Sequence, residues 1–222
     1  GLGRERRERQ AGDQLDRRLR VVERQAQQGG RHHHRVGGAE HDQARGPLGS
    51  LFASWTFDKE MSEDCQVLNI WTPATDRGKR PVMFYNHGGG FVVGSGGAAI
   101  QDGATLARNF DVVVVQTNHR LGLLGFLYLD ELAGPEYAGS GNQGLLDIVA
   151  GLEWVHQNIA HFGGDPDNVM IFGESGGGAK TSCLYAMPAA APYFNKASIE
   201  SGPGVRMYTP ELAAATTERV LQ

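Results

Sequence analysis

Asn168-Val-Met-Ile-Phe172 followed by Gly173-Glu174-Ser175-Gly176-Gly177 decides the reading of this chain. Five residues, three of them β-branched or aromatic, predict a buried strand. A helix is then predicted from Gly176 to about Met187, where Pro188 closes it. Between them lies a G-x-S-x-G. The requirement behind that pattern is steric. A serine on a sharp strand-to-helix turn needs small neighbours on both sides, and the turn lifts its hydroxyl clear of the sheet. It also sets the hydroxyl at a helix N-terminus, where free N–H groups and the helix dipole favour developing negative charge. The five-residue pattern alone is weak; its strand-before, helix-after context makes Ser175 a candidate nucleophile.

Upstream, Pro81-Val-Met-Phe-Tyr-Asn86 predicts another strand and runs directly into His87-Gly-Gly-Gly-Phe91. Acyl transfer places negative charge on a former carbonyl oxygen, and preorganised N–H donors must point at it. Glycines let a backbone approach a substrate with no side chain in the way. A phosphate-binding reading fails, because there is no Gly-Lys-Ser/Thr and no G-x-G-x-x-G leading into a helix. The loop therefore reads as an oxyanion loop. Val67–Trp71, Asp111–Gln116 and Lys196–Ser201 predict further strands, the second a continuous apolar run of the kind covered on both faces. Residues 100–110 predict a short crossover helix. Leu145, Ile148, Val149, Leu152, Val155 and Ile159 recur at helical spacing over about 17 residues, and Thr209-Pro210-Glu211 is a helix start. Strands alternating with helices imply an α/β protein, with a parallel sheet flanked on both faces. Ligands in such sheets bind at the carboxyl ends of the strands, where both glycine loops fall.

The first fifty residues are a different text. They hold 11 basic side chains, all arginine, against 7 acidic ones, and contain no aromatic and no isoleucine; the remainder holds 10 basic against 18 acidic. Residues 1–50 read as a low-complexity, disordered segment, because they bury too little surface to offset chain entropy. Residues 13–28 within it could form a marginal helix with some acid–arginine pairing. Arg31-His32-His33-His34-Arg35 lacks a second ligand cluster and reads as low complexity rather than a metal site. Residues 51–222 form the folded part. The net charge of −4 points to neither nucleic acid nor an acidic membrane as partner. No apolar run could span a bilayer, and no secretory signal is visible, which leaves cytoplasm and exterior both open. The two cysteines, Cys65 beside a strand and Cys183 on a helix, are expected as free thiols.

Ser62–Pro73 (SEDCQVLNIWTP), His87–Phe91, Asn118–Phe126 (NHRLGLLGF), Gly141–Asp147 (GNQGLLD), Phe162–Pro166, Phe172–Gly177 and Glu200–Gly202 together resemble type B carboxylesterases, from about residue 55 to 206. Hormone-sensitive-lipase-like esterases share the HGGG loop. They usually carry G-D-S-A-G-G at the elbow and lack the SEDC block, so type B fits better. The resemblance implies the N-terminal part of an α/β-hydrolase fold and hydrolysis of small-molecule carboxylic esters through an acyl-enzyme, with no cofactor. It implies Ser175 as nucleophile, the N–H groups of Gly89, Gly90 and Gly176 as oxyanion hole, and Glu174 and Ser201 as supporting residues. Arg120 and Asp147 would form a structural ion pair. Glu63 and Cys65, partnered upstream in many relatives, would lack those partners here. The family's acid and histidine follow the serine on loops after two later strands. Neither is expected in this chain, which reads as a fragment: an incomplete esterase or, alternatively, an inactive or binding remnant.

Overall fold

The computed structural model describes residues 20–25, as backbone alone, and residues 62–222. Among the described residues six strands form one sheet. They are β1 (Arg20–Gln25), β2 (Val67–Thr72), β3 (Arg80–Asn86), β4 (Val113–Thr117), β5 (Gly164–Glu174) and β6 (Lys196–Glu200), in the spatial order β1-β2-β4-β3-β5-β6. All neighbours run parallel except β2 and β4, which pair antiparallel. The sheet is thus mostly parallel, as expected, and the antiparallel pair is its one departure. Alternation of strands and helices predicts crossovers, but it carries no information about which strand starts the sheet in the opposite direction.

Among the described residues there are five α-helices, α1 (Ala104–Phe110), α2 (Gly122–Phe126), α3 (Gln143–Asn158), α4 (Gly176–Ala186) and α5 (Pro210–Val220), of which α1, α3 and α4 pack on the sheet. Strand side chains alternate between two cores, as a period of two requires. Leu68, Ile70, Phe84, Val113 and Val115 pack on one face with Ile148, Leu152 and Val155 of α3 and Leu184 of α4. Trp71 and Val114 pack on the other with Ala107 of α1. Every residue of β2 and of β4 is buried, the polar Asn69, Thr72, Gln116 and Thr117 among them. The Asp165-Pro166-Asp167 break expected ahead of β5 lies inside it, where the β3–β5 register shifts between Arg80 and Val82. The crossover helix is shorter than expected because Ala99–Gln101 forms a separate 3₁₀ turn. Thr209 caps α5, its side-chain oxygen accepting from the Leu212 N–H at 3.4 Å, with Pro210 at the first helical position.

A correction falls in the arginine-rich segment. Within residues 13–28, Arg20–Gln25 is a strand rather than a helix, pairing with β2 in parallel over Arg20↔Val67 to Gln25↔Thr72. A short helix is marginal by propensity alone, whereas the free edge of β2 supplies backbone partners that no local pattern reveals. The rest of residues 1–50, His32–His34 included, lies outside the described residues. Among the described residues neither cysteine is in a disulfide, no group of histidine, cysteine and carboxylate side chains is arranged for a metal, and no helix is long and apolar enough to cross a membrane.

Candidate active site

The site follows from one pair of neighbours. β3 and β5 lie side by side and parallel, with Asn86 opposite Gly173. The chain therefore leaves both strands at the same level of the carboxyl edge, which sets the His87 loop beside Ser175. On the far side of β5, Glu200 lies opposite Glu174, and the Ser175 N–H donates to the Glu200 carbonyl at 2.9 Å.

Ser175 has φ 57° and ψ −123° and is exposed. A non-glycine residue held there carries on the order of 1–3 kcal/mol of backbone strain. The surroundings that hold it are glycines pressed against backbone. A Cβ on Gly177 would fall on the Asn86 carbonyl oxygen, one on Gly202 on the Ser175 carbonyl, and one on Gly176 on the backbone of Gly90. Ser175 also starts α4, since its carbonyl accepts from the Ala179 N–H at 3.0 Å. The N–H groups of the first helical turn are consequently gathered below the serine hydroxyl.

The glycine loop turns over the elbow. Gly89 (φ 91°) and Gly90 (φ 67°) occupy the left-handed region, which glycine enters without steric cost. The Val93 N–H donates back to the Gly89 carbonyl at 3.2 Å, and the Gly122 N–H to the Phe91 carbonyl at 2.8 Å. Phe91 stacks edge-on against Phe126 of α2 at 5.0 Å. A Cβ on Gly88 would lie 3.2 Å from the Glu174 carbonyl oxygen and 3.8 Å from the Ser175 Cβ. Ser175, Gly176, Gly88 and Gly90 are therefore one cluster. Glu174 is half-buried, its Oε2 3.5 Å from that same Cβ position on Gly88. Ser201 (φ 54°) is exposed at the end of β6, next to the strand residue that binds the Ser175 N–H.

Behind the loop the polar groups are buried. Asn86 Nδ2 donates to Thr181 Oγ1 at 3.0 Å, and Thr181 Oγ1 to the Gly177 carbonyl at 2.8 Å. The His87 and His119 rings stack at 4.7 Å, both fully buried. Burial first, then the neighbouring Lys180, pushes both imidazoles well below their ordinary range, so neither is suited to take a proton from a serine. His156 lies in the last turn of α3 and His161 in the 3₁₀ turn beyond it. Burial lifts the Tyr85 phenol to about 12, with Glu174 and Glu200 adding to the rise.

The expected Arg120–Asp147 pair is present. Arg120 Nη2 meets Asp147 Oδ1 at 2.6 Å, and Arg120 Nε and backbone N–H both donate to Asp147 Oδ2, at 2.8 and 2.9 Å. Lys180, Thr181 and Asn86 were not singled out by sequence. A lysine among small and apolar residues on a helix facing the sheet was the available signal.

A serine elbow beside a glycine loop, at the carboxyl edge of a mostly parallel sheet with helices on both faces, defines an α/β-hydrolase. The family model described as the carboxylesterase family matches residues 26–220, and the chain belongs to that family. The para-nitrobenzyl esterase of Bacillus subtilis is 47% identical over 176 residues, covering 79% of this chain and 35% of that protein. The liver carboxylesterase of Sus scrofa is 52% identical over 145 residues, 64% of this chain and 24% of that protein. Among solved structures, a carboxylesterase of Geobacillus stearothermophilus superposes with a TM-score of 0.71 at 51% identity, over 72% of this chain and 35% of that chain. The chain thus spans about a third or less of the length of these relatives.

Proposed function

We propose that this chain carries the nucleophile and oxyanion half of a serine carboxylic ester hydrolase acting on small-molecule esters. The observation that supports it most is the elbow geometry: Ser175 strained and exposed at a helix start, with the Gly90 backbone against Gly176. In this reading Ser175 Oγ attacks the ester carbonyl carbon, and the carbonyl π electrons move to oxygen. The N–H groups of Gly89, Gly90 and Gly176 stabilise that oxyanion; losing one such donor typically costs about 3–4 kcal/mol of transition-state stabilisation. Collapse expels the alcohol and leaves an acyl-serine, which water then hydrolyses. Glu174, beside Gly88, and Ser201, next to the residue that accepts from the Ser175 N–H, are the supporting residues in this reading. The proton leaves Ser175 through a histidine oriented by an acid, both supplied by residues outside 62–222.

The test is a serine-directed fluorophosphonate applied to the protein as its gene encodes it. Phosphonylation is expected on Ser175 alone, alongside turnover of a short-chain aryl ester. A protein that turns the ester over while labelling elsewhere would sink the assignment, and one that does neither would favour a non-catalytic remnant.

A second expectation comes from Gly176. Because a Cβ there meets backbone rather than a flexible side chain, Gly176→Ala must push the glycine loop away from the elbow. The expected result is a kcat lower by about 100-fold and a lower melting temperature, because a Cβ forced against backbone typically costs about 1–3 kcal/mol. Unchanged kcat in a crystal structure with an undisplaced loop would contradict the placement of Gly90.

A further inference from the structure

Lys180 is the one lysine among the described residues that is fully buried. It projects from α4, five residues beyond Ser175, and its Nζ donates to the His87 carbonyl at 3.0 Å. The same Nζ lies 5.8 Å from the centroid of the Phe91 ring. Its two contacts therefore bracket the triglycine: one on the residue before Gly88, the other on the residue after Gly90. Among the described residues no carboxylate forms an ion pair with it. The titratable groups against it are the buried His87 and His119 imidazoles, which cannot neutralise a cation. An unpaired amine kept in the interior is costly, and a methionine would fill similar space at no such cost. Nothing in the packing of the sheet needs a charge here; what the amine touches is the loop.

We propose that Lys180 is a positioning residue for ester hydrolysis, fastening the His87–Phe91 loop to the nucleophile helix so that the glycine N–H groups stay aimed above Ser175. This rests on the reading of Ser175 and the loop given above. The device is local to two elements. α4 carries both the serine and the tether, so any shift of the helix carries the loop with it, and the distance between nucleophile and donors is conserved. The burial that pushes the amine down to about 7 provides an independent signature. Folded Lys180 binds fewer protons than the unfolded chain between about pH 7 and its ordinary value of 10.5. Stability should therefore rise with pH across that window, and below about pH 7 the full cost of burying the cation is present.

The experiment compares Lys180→Met, Lys180→Gln and Ser175→Ala in the gene-encoded protein. Lys180→Met is expected to lower kcat at least tenfold, with KM within twofold. Its Ki for a trifluoromethyl ketone, which forms an oxyanion on the serine, should rise by the same factor. Its melting temperature should no longer climb between pH 7 and 10. Lys180→Gln keeps an N–H donor and should retain an intermediate kcat; should the methionine variant fail to fold, this one decides. The proposal is overturned by a Lys180→Met protein with kcat within twofold of the unsubstituted one while Ser175→Ala is inactive. Equal losses in the methionine and glutamine variants would overturn it too. Turnover that survives Ser175→Ala would instead overturn the nucleophile assignment beneath it.

Discussion

Replacing Ser175 with alanine is expected to lower kcat for an activated aryl ester by about 10⁴-fold or more while leaving the fold intact. The size of the effect follows from covalent chemistry. In the proposed mechanism, without the hydroxyl there is no acyl-enzyme, and only the contribution of binding and the oxyanion donors would remain. The fold survives because alanine keeps the Cβ, and the elbow contacts that hold residue 175 are backbone ones: its N–H to Glu200 and its carbonyl to Ala179. Ser175→Gly separates strain from chemistry. It should be equally inactive, yet more stable by about 1 kcal/mol, because glycine occupies φ 57° without penalty. Initial rates with para-nitrophenyl acetate and a urea titration of each variant provide the check. More than a tenth of the activity surviving in Ser175→Ala would remove the serine from the mechanism, and a Ser175→Gly protein no more stable than the parent would remove the strain.

Asp147→Ala is expected to destabilise the protein by about 3 kcal/mol. The carboxylate of Asp147 accepts from the Arg120 guanidinium and backbone N–H and, at 2.5 Å, from Gln66 Nε2. Its side chain is 5% exposed. Removing one partner of a buried pair typically costs about 3–5 kcal/mol, since the other charge is left unpaired. The Arg120 side chain is 33% exposed, so water screens part of the loss and the lower end applies. The change should also reach the site. Arg120 precedes the turn whose Gly122 N–H holds the Phe91 carbonyl, so the far end of the glycine loop loosens with it. A midpoint shift below 1 kcal/mol by chemical denaturation would mean that the pair is no more than a surface contact.

The contribution of sequence to these conclusions differs element by element. β2, β4 and β5 were legible through their apolar stretches, residues 67–68 with 70–71, 113–115 and 169–172, although polar Asn69, Thr72, Gln116 and Thr117 are buried in β2 and β4 as well. The long helix α3 was legible because Leu145, Ile148, Leu152 and Val155 recur on the face that meets the sheet. The elbow was legible because a serine at positive φ tolerates only small neighbours, and that constraint is written into adjacent residues. What escaped was non-local. The strand at Arg20–Gln25 is polar text, and only the open edge of β2, more than forty residues away, gives its backbone partners. The antiparallel β2–β4 pair escaped for the same reason. Lys180 escaped because a single polar residue on a helix says nothing about which carbonyl it will face.

By itself, then, the amino-acid sequence determined that a strand, a strained serine turn and a helix follow one another, that a triglycine loop follows another strand, and that the whole is a mostly parallel α/β sheet. These are local matters of side-chain size, backbone freedom and apolar periodicity, each carried by neighbouring residues. Only the tertiary structure decided that β3 and β5 are adjacent with Asn86 level with Gly173, that the Gly90 backbone lies against Gly176, and that the Lys180 amine is sealed beneath the loop. Those depend on strand order and register, which arise from the packing of residues 80 to 100 positions apart and leave no trace in any one stretch of chain.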